Sequence, residues 1–88
     1  MPIFHLRQLI EEETFEADKR RLYADATRLD AILEGINLKL SRSAESGTPI
    51  PESDLWVILT APFPDAPALG VTYSFDEEHV YMLGLELN

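Results

Sequence analysis

The chain of 88 residues contains no cysteine, so neither a disulfide framework nor thiolate chemistry is open to it. That absence suits a reducing compartment, and a cytoplasmic location is the expectation. Its apolar runs are far too short to span a bilayer, and the acidic N-terminal third does not read as a secretory leader. No membrane association is expected. Internal repeats and low-complexity tracts are also missing. The more informative absence is positive charge. The net charge is −9, and all seven Lys and Arg fall within residues 1–42, where they face eight carboxylates. Residues 43–88 hold eight further carboxylates and no cation. Gripping a phosphate backbone needs Lys or Arg beside it, so direct nucleic-acid binding by the second half is not expected.

What is present is the material of one small domain, with 45% hydrophobic and 26% charged residues. Near the start, IFHLRQLI alternates, with Phe4, Leu6 and Ile10 on one side and His5, Arg7 and Leu9 on the other, which predicts a strand. EEETFEADKRR then places carboxylates early and cations late, the order a helix dipole favours. Leu22, Ala26, Leu29, Leu33, Ile36 and Leu40 recur in steps of four and three, and Ile32 widens that stripe into a core-facing helix surface. Thr27 and Asp30 have capping-box spacing, which allows a break near residues 24–27. One long helix over about 12–43 is the competing reading. The segment SRSAESGTPIPES, residues 41–53, reads as a loop, and DLWVILTA as a buried strand. PFPDAP, residues 62–67, has to be a connection, because proline cannot donate to a ladder. Strands over 68–75 and 79–87 close the chain.

The order of strand, one or two helices and a three-stranded antiparallel meander predicts an α+β domain with the helices on one sheet face. Alternation assigns Leu69, Val71, Tyr73 and Phe75, with Tyr81, Leu83, Leu85 and Leu87, to the core side. Gly70, Thr72, Ser74, Val80, Met82, Gly84 and Glu86 then form a shallow outer trough.

ADATRLDAIL (24–33), GTPIPESDLWVIL (47–59) and PALGVTYSFDEEHVYMLGLEL (67–87) together resemble the RelE/ParE superfamily of bacterial type II toxins. The resemblance spans roughly residues 24–87 and lies in patterning. It implies helices packed on one sheet face and a cognate antitoxin that wraps and silences the toxin. RelE-like members cleave mRNA on the ribosome, and ParE-like members poison DNA gyrase. RelE-like members commonly carry arginine on the strand that corresponds to 68–75, where cations stabilise phosphate charge as the bond breaks. Here that strand has none. The implied function is therefore a toxin-like component that acts by protein binding without RNA cleavage, with an antitoxin-like partner. A non-toxic interaction or structural protein on the same scaffold, in one version a homodimer, is the alternative. An acidic nucleic-acid mimic is a third reading, motivated by the uncompensated carboxylates.

No catalytic, metal or cofactor set emerges. His79 beside Asp76, Glu77 and Glu78 reads as a solvated turn, and His5 has no second ligand at metal spacing. Lys19, Arg20 and Arg21 have Glu11, Glu12, Glu13 and Glu16 within helix-pair reach. Ser41, Ser43, Ser46 and Ser53 read as loop residues. Trp56 alternates out of phase with Leu55, Val57 and Leu59, and two placements are open to it. In one, Trp56, Ile58, Thr72, Val80 and Met82 form an exposed apolar partner-binding patch. In the other, Trp56 completes the core.

Overall fold

The structure is a computed structural model that describes residues 6–22, 26–60 and 69–87. It is α+β. Strand β1 (Gln8–Glu11) leads into helices α1 (Glu13–Arg21) and α2 (Ala26–Arg42), followed by a 3₁₀ turn at Ala44–Ser46. Strands β2 (Thr48–Pro49), β3 (Trp56–Thr60), β4 (Leu69–Phe75) and β5 (His79–Leu87) complete a sheet of order β1-β5-β4-β3-β2. β1 runs parallel to β5, and every other pairing is antiparallel. β2 was not expected from sequence. Its Pro49 is tolerated because the strand lies at the sheet edge, where a missing N–H leaves no ladder bond unmade. His5, Phe4 and the PFPDAP connection lie outside the described residues, as do the side chains of Ala26, Thr27, Leu29 and Asp30.

The helix stripe finds its surface. Ile32, Leu33, Ile36 and Leu40 of α2 are buried, with Leu22 packed at the margin. α1 contributes Phe15, which is fully buried. Glu13 and Glu16 stand in the first turn of α1, and Lys19, Arg20 and Arg21 in the last. Lys19 pairs with Glu11 at 3.1 Å and Arg21 with Asp18 at 3.1 Å, so two of the three cations are neutralised locally.

The sheet corrects the expected faces. Pairing runs Thr72 to Gly84 but Tyr73 to Met82, so Leu83 is an extra residue and forms a β-bulge. Strict alternation carried back from Leu85 puts Tyr81 inside and Val80 and Met82 outside. The bulge inverts that half of the strand, because a one-residue slip exchanges every side chain between faces. Val80 and Met82 are fully buried in the core, with Leu85 beside them, and Tyr81 turns outward. On β3, Trp56 lies opposite Tyr73 and Ile58 opposite Val71, which places both on the core side. Trp56 joins an aromatic cluster, its ring 5.2 Å from Phe75 and 6.5 Å from Tyr73 between centroids.

Tyr73 also ties the loop to the sheet. Its buried hydroxyl donates to Ala44 O at 2.6 Å and accepts from Gly47 N at 3.1 Å. Burial is the main reason the phenol's pKa lies above its usual value. A Cβ on Gly47 would come within 2.5 Å of that hydroxyl and 2.6 Å of Val57 O, so only glycine lets the chain pass there.

Two outcomes test this packing by urea denaturation. Tyr73→Phe strands a buried carbonyl and N–H and is expected to cost about 1–3 kcal/mol. Met82→Ala is expected to cost about 2–5 kcal/mol and Thr72→Ala, on the outer face, under about 1. Equal effects at Met82 and Thr72 would contradict the bulge-inverted face.

Candidate functional site: the open face of the sheet

Among the described residues, the helices cover one side of the sheet and leave the other open. Cross-strand register assembles the open side in rows. Val57, Thr72 and Gly84 form one row, Leu59, Gly70 and Glu86 a second, and Ile10, Tyr81 and Ser74 a third. Small side chains at the centre make the face shallow. Leu59 is 61% exposed. It leans over Gly70, whose absent Cβ would stand 3.2 Å from the Leu59 Cδ2.

No Lys or Arg occurs in any of the five strands. Arg7, just before β1, is committed elsewhere. Its Nε donates to Asp76 O at 2.7 Å, its guanidinium sits 5.2 Å from the Phe75 ring centroid, and it pairs with Glu45 at 3.5 Å. The strands of the open face thus contribute no Lys or Arg side chain. Among the described residues no cluster of His and carboxylates could hold a metal ion.

One polar constellation stands at the β4–β5 turn. Asp76 Oδ1 accepts from Glu78 N at 2.8 Å and His79 N at 2.7 Å, while Oδ2 accepts from the Tyr81 hydroxyl at 3.0 Å. His79 Nδ1 lies 3.4 Å from Oδ1, and the His79 and Tyr81 rings are 5.8 Å apart. The two backbone N–H groups hold the Asp76 carboxyl down at about 2, with Tyr81 and His79 adding to the effect. The same hydrogen bond to Asp76 is the leading cause of the raised Tyr81 pKa. Sequence reading treated His79 as a turn residue, whereas it is the first residue of β5, immediately after the turn. It missed Tyr81 as a partner, because the bulge was invisible and Tyr81 was assigned to the core. The Asp-x-x-His spacing was the available signal, since aspartate commonly caps backbone N–H groups two and three residues on.

The expected patch of Trp56, Ile58, Thr72, Val80 and Met82 does not form one surface. Only Thr72 is on the open face. Val80, Met82 and Ile58 are buried, and Trp56 is half-buried against the core. Val57, Leu59 and Tyr81 stand there instead, beside Thr72 and Ser74, which the expected trough already included.

No protein-family model matches this sequence, and no curated protein matches it. Solved structures do. The chain is similar to the RelBE2 toxin–antitoxin complex of Mycobacterium tuberculosis, with a TM-score of 0.75 and 18% identity over 98% of this chain and 95% of that one. It is also similar to an arginine-to-alanine double mutant of the E. coli toxin RelE in the free state, with a TM-score of 0.66 and 17% identity over 91% and 81% of the two chains. At such identities the likeness establishes the fold, which is RelE-like.

The Asp76 cap has a pH signature. The folded carboxyl titrates near 2 against a usual 3.8, so its contribution is present above about pH 4 and lost as pH falls through 2. Asp76→Asn is expected to lower Tm at pH 6, with the difference from the parent closing as pH approaches 2. A gap in Tm that stays constant across that range would count against the cap.

Proposed function

We propose that this chain is the toxin-like component of a bacterial type II toxin–antitoxin system, acting by protein binding rather than RNA cleavage and held by an antitoxin-like protein. The observation that carries the reading is a RelE-like fold whose five strands contain no Lys or Arg. Breaking a phosphodiester on that scaffold requires positive groups facing the scissile phosphate, and no strand supplies one. Arg7, Lys19 and Arg21 are spent on ion pairs with Glu45, Glu11 and Asp18. What the open face offers instead is Thr72 and Ser74 flanked by Val57, Leu59 and Tyr81, a surface suited to a protein rather than to a polyanion. Such a component works in the cytoplasm without a cofactor, and no helix among the described residues is long and apolar enough to cross a membrane.

The same lack of cations supports a second reading, in which the scaffold serves as a non-toxic interaction protein, homodimeric in one version. Growth separates the two. Tightly controlled induction of the chain alone is expected to arrest bacterial growth while cellular mRNA shows no new cleavage ends. Thr72→Arg, at the centre of the open face, is expected to abolish arrest with the fold retained. Unimpaired growth with soluble, folded protein would move the assignment to the interaction protein. New ribosome-dependent mRNA ends would overturn the non-catalytic mode.

A further inference from the structure

Asp18, Asp76 and Glu86 all stand beside the open face, and they differ in what they are bonded to. Asp18 Oδ2 lies 3.7 Å from the position of a Cβ on Gly84. That oxygen accepts from Leu85 N at 3.0 Å, and Oδ1 pairs with Arg21 at 3.1 Å. Asp76 is occupied by the turn it caps. Glu86 has no salt bridge and no side-chain hydrogen bond among the described residues.

Glu86 and Leu59 close on one spot from opposite strands. Gly70 of β4 lies between them, opposite Leu59 of β3 and Glu86 of β5. A Cβ on Gly70 would stand 3.2 Å from Leu59 Cδ2, 3.6 Å from Glu86 Cγ and 3.9 Å from Glu86 Oε1. Both side chains therefore lean over the glycine, and both are exposed. An apolar wall thus faces a carboxylate across a floor that has no side chain. β4 is paired on both sides, so whatever meets this spot meets side chains and not a free strand edge.

One side chain matches that arrangement well. Arginine carries an apolar stem that lies along hydrophobic surface while its charged end stays in water. Its planar guanidinium donates two parallel hydrogen bonds to a carboxylate, which a lysine ammonium does not. Arginine is also enriched among the residues that dominate protein interfaces. A second copy of this chain is a poor source of it. The strands of that copy would bring no Lys or Arg, and two molecules at −9 repel each other.

From the unpaired Glu86 carboxylate, the exposed Leu59 and the bare floor at Gly70, we infer that this spot anchors an arginine on the basic surface of a different protein. The guanidinium binds Glu86, and the stem lies against Leu59. The inference rests on the reading that the open face binds a protein, and it names the side-chain chemistry which that partner brings.

The test employs two capped pentapeptides, Thr-Ala-Arg-Ala-Thr and the same sequence with neutral citrulline at its centre, titrated into the full chain and followed by amide NMR. The arginine peptide is expected to shift resonances of Leu59, Gly70 and Glu86 and to bind roughly fivefold more tightly than the citrulline peptide, the size of an exposed ion pair. Glu86→Gln is expected to erase that preference. Glu52→Gln, the same change of charge in the turn between β2 and β3, is expected to keep it. Absence of shifts at millimolar peptide, equal binding of the two peptides, or equal losses in the two variants would each overturn the anchor. Sedimentation showing a dimer that Glu86→Gln breaks would replace the foreign protein with a second copy. Growth arrest that persists in Glu86→Gln would sink the anchor and leave the proposed function standing. An arginine preference without arrest would keep the anchor on an interaction protein.

Discussion

The extra residue at Leu83 governs the architecture more than any other feature. Without it, β5 would present one alternating face along its whole length, and the N-terminal half would send Tyr81 inward. With it, Val80 and Met82 meet Phe15 and the α2 stripe, while Leu85 stays on the same side. Where β1 stops pairing at Met82, α1 takes over the edge. Thr14 Oγ1 donates to Leu83 O at 2.5 Å, and Asp18 Oδ2 accepts from Leu85 N at 3.0 Å. The bulge and the helix belong together, because the backbone groups released from strand pairing are those that α1 side chains satisfy.

The opposite end of the sheet depends on Tyr73. Its ring belongs to the core and to the aromatic cluster with Trp56 and Phe75, and its hydroxyl reaches the turn that follows α2. One side chain therefore fixes the distance between the segment that follows α2 and β4. Gly47 answers that constraint, since the loop passes so close to the phenol and to Val57 that a methyl would not fit. The short β2 follows from it, because a chain held at Ala44 and Gly47 reaches β3 too late for β2 to pair with its far end.

Charge divides the molecule along the same lines. The paired cations sit on the helices and at the β1 entrance, where each finds a nearby acid. Exposed pairs of this kind contribute little to stability, typically under about 1 kcal/mol. They neutralise Arg7, Lys19 and Arg21 locally. The strands themselves hold none, so the open face of this RelE-like fold carries no Lys or Arg on its strands.

By itself the sequence determined the α+β class, the α2 stripe, the order of the three long strands and the absence of cations from the second half. Each is a local or compositional property that periodicity and counting can read. It could not determine which face of β5 is inside, because a bulge is set by how two strands and a helix share hydrogen bonds, and no residue type announces it. That one slip moved Val80 and Met82 out of the expected site and brought Tyr81 to Asp76 and His79. Trp56 likewise had two faces open to it, and only its register against Tyr73 chose the core.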